Sequence, residues 1–144
     1  MTEPLWLTAQ DILQLHSEQL AIFGGPAGLR DLGMLESAVA RPVNRWIYGE
    51  KDLAALAAAC AFGIAKNHPF VDGNKRALFA ALIVFLRYNN VVFSPKPEDA
   101  AAAILALAAG EIDEEGLTRW IRDQVLSGKP KVKSPTKAKP ARKR

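Results

Sequence analysis

A run of ten consecutive apolar residues, Ala77 to Leu86, constrains the fold of this chain more than any other feature. A helix built from this run is apolar on all sides, so the rest of the protein has to enclose it. The run is too short to span a bilayer, which takes about 20 residues. The sequence therefore predicts a central helix from about Lys75 to Asn89, the most buried helix in the chain, and no association with a membrane.

The other segments show the periodicity and the end signals of helices, which predicts an all-α fold, a compact bundle of about six helices. Thr8, Asp31 and Asp52 are candidate N-caps, and Pro42 is expected to stop the second helix. The expected helices run from Thr8 to about Ala21, from Asp31 to Ala40, from Asp52 to about Lys66, from about Lys75 to Asn89, from about Pro97 to Ala109 and from Asp113 to Gly128.

Two smaller features are interpreted as structural. His16 lies on the apolar face of the first predicted helix, so it is expected to be a hydrogen-bonded core histidine. The short apolar run from Val91 to Phe93 is a candidate strand that would pair with the glycine-rich segment Gly24 to Gly33.

The nine residues that precede the apolar run, His68 to Arg76, read HPFVDGNKR. Lys75 and Arg76 fall in the first turn of the predicted helix, where the positive end of the helix dipole disfavours cations. A bound anion would resolve this conflict. Backbone N–H groups near Gly73 and Asn74 would contact it closely, because the side chains there are absent or small. The loop therefore predicts a phosphate-binding site, most simply for a nucleotide.

His68 and Asp72 supply the other groups that phosphate chemistry needs. Histidine changes its protonation near neutral pH, so His68 suits a general base that removes a proton from an attacking hydroxyl. Asp72 is a hard oxygen ligand, which suits Mg²⁺ held jointly by one carboxylate and by phosphates.

Each of these residues also has a simpler interpretation. A histidine before proline is often a surface or capping residue, DGN is ordinary turn sequence, and a Lys–Arg pair is often a solvated helix end. Their concentration within nine residues, directly ahead of the apolar run, favours the site.

The net charge of +4 is distributed unevenly along the chain. Residues 129–144 carry eight of the 19 Lys and Arg residues and no acid, which leaves 11 basic against 15 acidic residues in 1–128. We therefore expect a catalytic domain over 1–128 and a basic, disordered tail over 129–144. Binding to nucleic acid, if there is any, is expected to be weak and to involve this tail.

The single cysteine and the N-terminal sequence indicate in which cellular compartment the protein is expected. Cys60 is the single cysteine and lies in the apolar run LAALAAACAFGIA, so no intrachain disulfide is possible and the thiol is expected to be a small core residue. The first residues, MTEPLWLTAQ, lack the basic and apolar regions of a signal peptide. A cytoplasmic protein is expected.

The loop HPFVDGNKR resembles the signature loop of the Fic/Doc superfamily. Fic members read HPFx(D/E)GNGR with a second arginine three residues later, whereas this chain has Lys75 and Phe79 at those two positions. Both departures are similar to the Doc branch, the death-on-curing toxins, whose loop has the form HxFxDANKR; Gly73 is a Fic-like detail. The segment FGGPAGLRDLGMLESAVARP, Phe23 to Pro42, resembles the flap and following helix of Doc-type proteins, and LH at residues 15–16 fits their first helix.

This resemblance implies the Fic/Doc fold over about residues 4 to 127 and a toxin of a bacterial toxin–antitoxin pair. Such toxins are protein kinases that move the γ-phosphate of ATP, with Mg²⁺, to a threonine of elongation factor Tu and so arrest translation. Their antitoxins inhibit them through a disordered segment that folds as a helix over the active-site groove.

The resemblance also implies roles for individual residues. His68 would activate the target hydroxyl and Asp72 would hold Mg²⁺. The phosphate-binding residues would be Gly73, Asn74, Lys75 and Arg76, with Lys75 and Arg76 also stabilising charge on the transferred group.

Several alternatives remain open from the sequence. Arg30 and Arg41 are possible flap or substrate contacts, and each is as readily paired with Asp31, Glu36 or another acid. Fic-like AMP transfer to a protein hydroxyl is the alternative reaction. A catalytically silent protein that binds a partner helix is the alternative from a different class.

Overall fold

Six α-helices form the part of the chain that the computed structural model describes, residues 2–127. The all-α expectation is confirmed, whereas the basic tail and the predicted helix end at Gly128 lie outside the described residues. The helices are α1 (Ala9–Phe23), α2 (Leu32–Ile47), α3 (Leu53–Asn67), α4 (Asn74–Tyr88), α5 (Pro97–Ala108) and α6 (Glu114–Ser127). Within residues 2–127, no helix is both long and apolar enough to cross a bilayer.

The predicted N-caps at the starts of α1, α2 and α3 are confirmed. Thr8 and Asp11 form a reciprocal capping box at α1. The Asp31 carboxylate accepts a hydrogen bond from the Met34 N–H at α2, and Asp52 accepts one from the Ala54 N–H at α3. These caps satisfy N–H groups that helix starts leave unpaired.

Helix α3 is the most enclosed helix, because eleven of its 15 residues are buried and it contacts α2, α4, α5 and α6. The apolar run is confirmed as part of the core through α4, where Leu78, Leu82 and Phe85 are buried. The expectation that α4 is the most buried helix is wrong, since Phe79 and Ile83 on its other side are only half-buried. The small side chains of α3 allow the neighbouring helices to approach it from several sides.

Pro42 does not end α2, which continues for five more residues to Ile47. The proline lies on the buried face of the helix with Leu35 and Ala38. Burial of its apolar ring offsets the hydrogen bond that its nitrogen cannot donate to the turn before it. The prediction that the helix ends at Pro42 is therefore wrong. The packing of the proline ring in the core, which the local sequence does not show, outweighs the lost hydrogen bond.

Gly63 on α3 allows α2 and α3 to pack closely. A Cβ atom on Gly63 would lie 3.0 Å from the Ala38 Cα and 2.8 Å from the Arg41 Cδ. Both distances are shorter than ordinary van der Waals contact, and one of the two atoms belongs to the backbone.

We expect Gly63→Ala to destabilise the protein by about 1–3 kcal/mol, because the added methyl group forces the two helices apart. Urea denaturation measures the free energy of unfolding. Gln14→Ala, on the exposed side of α1, is the control and should change it by less than about 0.5 kcal/mol. An unchanged free energy for Gly63→Ala would show that the contact relaxes without cost.

The segment from Val91 to Phe93 forms no strand in the described part of the chain, contrary to the prediction. Phe93 is instead buried as a single core side chain with its ring edge-on to Trp120. The glycine-rich segment pairs elsewhere, through an isolated antiparallel bridge between Leu29 and Phe70. This segment, residues 24–33, is called the flap below.

Candidate active site

His68 ends α3 and begins the loop His68–Arg76, here called the signature loop. Its backbone adopts the left-handed conformation, with φ 47° and ψ 58°, and its N–H donates to the Ile64 carbonyl. The side chain is exposed, whereas the next two residues, Pro69 and Phe70, are fully buried. The loop is therefore anchored in the core directly after His68, while the His68 imidazole itself stays exposed to solvent.

Asn74 closes the signature loop at the start of α4. Its side-chain oxygen accepts a hydrogen bond from the Phe70 N–H at 3.0 Å, and its side-chain nitrogen donates to the Phe70 carbonyl at 3.0 Å. Gly73 is the N-cap of α4, with φ +80°, and it offers no side chain to cap the helix. The first N–H groups of α4 are thus left for another acceptor.

The flap is joined to the signature loop by backbone hydrogen bonds. The N–H groups of Arg30 and Asp31 donate to the Pro69 carbonyl at 2.6 and 3.0 Å, and the Val71 N–H donates to the Gly28 carbonyl at 3.0 Å. Flap and loop therefore form one structural unit over the site.

The Arg30 side chain supports the end of α3. Its guanidinium donates to the carbonyl oxygens of Asn67 and His68, at 2.6 Å in each case. Of the open alternatives for Arg30, the structure shows neither a pairing with Asp31 nor one with Glu36. It shows a contact with the backbone of the proposed base instead.

A cavity of about 360 Å³ opens beside the signature loop. It brings together all six of the loop residues predicted to act in the site. Its lining residues are Ala65, His68, Val71, Asp72, Gly73, Asn74, Lys75, Arg76, Leu78 and Ala108. A single cavity thus holds a candidate base, a carboxylate and two cations.

Two cations and no acid lie in the first turn of α4. Lys75 is exposed at the cavity, while Arg76 donates to the Gly24 carbonyl at 3.2 Å and lies 5.4 Å from the centre of the Phe23 ring. Cations at this end of a helix are disfavoured unless an anion is bound. The arrangement therefore fits a phosphate group between the helix start and the two side chains.

Asp72 is the carboxylate that fits a magnesium ion held jointly with phosphates. Among the described residues there is no group of three or more His, Cys, Asp or Glu that would hold a metal by itself. Magnesium commonly takes one or two carboxylates and completes its shell with water and substrate phosphates, so one half-buried carboxylate in the cavity is consistent with it. The flap approaches here as well: a Cβ atom on Gly25 would lie 2.8 Å from Asp72 Oδ2.

Arg41 is not among the residues that line the cavity. Its guanidinium forms an ion pair with Glu114 of α6, and its Nε donates to the Ala59 carbonyl on α3 at 3.1 Å. The structure therefore favours the ion-pair interpretation of Arg41, with an acid that lies 73 residues away in sequence. Cys60 is confirmed as a core residue, since it is buried within the main hydrophobic cluster, and this burial raises the pKa of its thiol to about 12.

The described residues form an all-helical protein with a candidate phosphate-binding loop ahead of a core helix. The sequence profile of the Fic/DOC family matches residues 6–86, more than half of the chain, and the chain belongs to this family.

Two relatives agree with the Doc-type resemblance. "Toxin Doc" of Mycolicibacterium smegmatis is 43% identical over 94 residues, which cover 63% of this chain and 68% of the relative. "Protein kinase doc" of Escherichia phage P1 is 31% identical over 117 residues, which cover 81% of this chain and 92% of the relative.

Proposed function

We propose that this chain is the toxin of a toxin–antitoxin module and a protein kinase that transfers the γ-phosphate of ATP to a hydroxyl group of a translation factor. Elongation factor Tu, modified on a threonine, is the substrate that Doc-type resemblance suggests. The names of the two relatives support the toxin class and the kinase activity. A cytoplasmic location follows from the proposal, because ATP and the translation machinery are found there.

The single observation that carries the proposal is that His68, Asp72, Lys75 and Arg76 line one cavity at the start of α4. In the proposed reaction His68 accepts the proton of the substrate hydroxyl as its oxygen bonds to the γ-phosphorus. The bond between the γ-phosphorus and the bridging oxygen breaks, and ADP leaves. Lys75, Arg76 and the N–H groups at Gly73 and Asn74 stabilise negative charge on the transferred group.

Magnesium, when bound through Asp72 and the phosphates, would neutralise charge and orient the nucleotide. Asp72 suits this role because its carboxylate belongs to the cavity wall, next to the turn that begins α4. Gly25 allows the flap backbone to pass close to this carboxylate without blocking it with a side chain.

Lys75 favours γ-phosphate transfer over AMP transfer. Its side chain occupies space that a glycine leaves open for phosphate in AMP-transferring relatives, so the nucleotide is expected to bind in another orientation. Phe79, which stands where those relatives have a second arginine, lies half-buried on α4 and offers no charge. AMP transfer remains the second candidate reaction because Gly73 matches the Fic form of the loop and not the Doc form.

We expect label from γ-labelled ATP, and not from α-labelled ATP, to reach protein when the purified chain is incubated with Mg²⁺ and a cell lysate. The same lysate with the His68→Ala variant is the control, because lysates contain other kinases. Transfer of the α label alone would assign AMP transfer. Transfer of neither label above the control would favour the binding protein without catalysis.

The partner of this proposed toxin is a cognate antitoxin. We propose that a disordered segment of it folds as a helix over the groove between the flap and α4. Exposed apolar side chains that such a helix can bury lie at this edge of the site, including Phe23, Leu29 and Val71, which are 63, 38 and 56% exposed. Folding of such a segment on binding costs conformational entropy, which lowers its affinity. This suits an inhibitor that has to be released.

We expect replacement of the flap loop to abolish antitoxin binding and deletion of residues 129–144 to leave it intact. The tail has no apolar residue larger than valine, so it offers a helix little to bury. Calorimetry with the product of the neighbouring gene measures both affinities. Antitoxin binding that survives the flap replacement and disappears on deletion of residues 129–144 would contradict the proposal. It would place the antitoxin on the tail and not on the groove between the flap and α4.

A further inference from the structure

His16 is a buried polar side chain that contacts the signature loop from α1. It is 5% exposed, and its ring stacks on the Phe70 ring with centroids 3.7 Å apart and planes inclined by 7°. Its Nε2 lies 2.7 Å from the backbone oxygen of Asp72. The expectation of a hydrogen-bonded core histidine is confirmed, but its partner is a residue of the candidate site.

The partner atom determines which ring nitrogen carries the proton. A backbone carbonyl oxygen accepts hydrogen bonds and donates none, so Nε2 has to be the protonated nitrogen of His16. The bond crosses 56 positions of sequence and holds the peptide between Asp72 and Gly73. That peptide immediately precedes the first turn of α4.

The ring also covers the inner side of Gly73. A Cβ atom on Gly73 would lie 3.3 Å from His16 Nε2 and 3.5 Å from its Cδ2. Gly73 has a left-handed backbone, with φ +80°, in which a side chain is strained in any case. His16 therefore restrains the turn from α1, while the hydrogen bonds between Asn74 and Phe70 restrain it from within the loop.

We propose that His16 is a positioning residue of the candidate site. Its Nε2–H and its ring fix the turn at Asp72 and Gly73, so that the Asp72 carboxylate and the first N–H groups of α4 are directed into the cavity. This inference rests on the proposed function, because the turn is taken to bind nucleotide phosphates. A role confined to core packing would lower stability and leave the folded protein's affinity for nucleotide unchanged.

Two variants separate the hydrogen bond from the packing. His16→Phe keeps an aromatic ring to stack on Phe70 and lacks the donor, whereas His16→Gln supplies an N–H donor at similar reach without the ring. At a temperature where both are folded, we expect His16→Phe to weaken binding of Mg²⁺–ATP and to lower kcat for transfer by about 10- to 100-fold, because small displacements of aligned groups are costly. His16→Gln should recover much of this loss.

Ile12→Val is the matched control. Ile12 is fully buried on α1 one turn before His16 and does not line the cavity. The variant lowers stability by about 0.5–1.5 kcal/mol without removing any polar contact. Its affinity for Mg²⁺–ATP should equal that of the wild type.

Nuclear magnetic resonance of the protein without nucleotide tests the inference separately from the reaction. We expect the His16 Nε2 to carry the proton, and His16→Phe to lower the hydrogen-exchange protection of the Phe70 and Ala77 amides, whose bonds to Asn74 Oδ1 and the Gly73 carbonyl define the turn. If the wild type transfers no label, the proposed function fails while these measurements still decide the role of His16.

A proton found on Nδ1 and not on Nε2 in the wild type would overturn the inference, even if both His16 variants fail to fold. Wild-type amide protection together with wild-type affinity in a folded His16→Phe variant would overturn it as well.

Discussion

We expect His68→Ala to lower the rate of phosphoryl transfer by about 10²–10⁴-fold, because it removes the proposed general base. The protein should stay folded, since the His68 side chain is exposed and the loop is anchored by the buried Pro69 and Phe70. Transfer of γ label to the isolated protein substrate measures the rate, and thermal denaturation measures stability. Loss of growth arrest in cells that express the variant is the corresponding biological result.

His68→Asn is the more informative partner of this variant. Asparagine tolerates the left-handed backbone that residue 68 adopts, and it cannot act as a base. A loss of activity in His68→Asn therefore reports the missing base and not strain in the backbone. Lys66→Ala, at an exposed position of the same helix end, should transfer at the wild-type rate. Unfolding of both His68 variants would show that the residue is structural, and wild-type transfer by either would remove it from the mechanism.

Asp72→Ala is expected to weaken ATP binding at least about 10-fold when Mg²⁺ is present, because the carboxylate is the proposed metal ligand. Without Mg²⁺ the affinity should stay equal or rise, since the variant removes a negative charge from the cavity that is proposed to receive the phosphates. Calorimetric titrations with and without the metal give both affinities.

Asp72→Asn controls for the size of the side chain in these titrations. It keeps the shape of the carboxylate, loses its charge and should behave like the alanine variant in both conditions. Equal weakening of ATP binding with and without Mg²⁺ would exclude Asp72 as the metal ligand and assign it a role in holding the loop.

The candidate site was largely predictable because its proposed residues are contiguous in sequence. His68 to Arg76 span one helix end, one turn and one helix start, so local chemistry is enough to bring their side chains to one cavity. The caps at Thr8, Asp31 and Asp52 were predictable for the same reason, since each involves a residue at most three positions away.

The rest depended on contacts between distant segments. No local pattern shows that Arg30 bonds to the end of α3, that His16 reaches the Asp72 carbonyl or that Arg41 pairs with Glu114. The polar residue on the apolar face of α1 was the available signal for His16, and it indicated burial without naming the partner. Pro42 was mispredicted because tertiary burial outweighed a local helix-stop signal.

The candidate site draws on segments that lie far apart in the chain. The cavity and its supports use His16 on α1, the flap, the signature loop and Ala108 on α5. A chain cut in the exposed turn at Tyr48 and Gly49 separates His16 and the flap from the loop that they hold. Neither half then contains a complete candidate site, so we expect the proposed transfer activity to be absent from each half and to return only when the two halves associate.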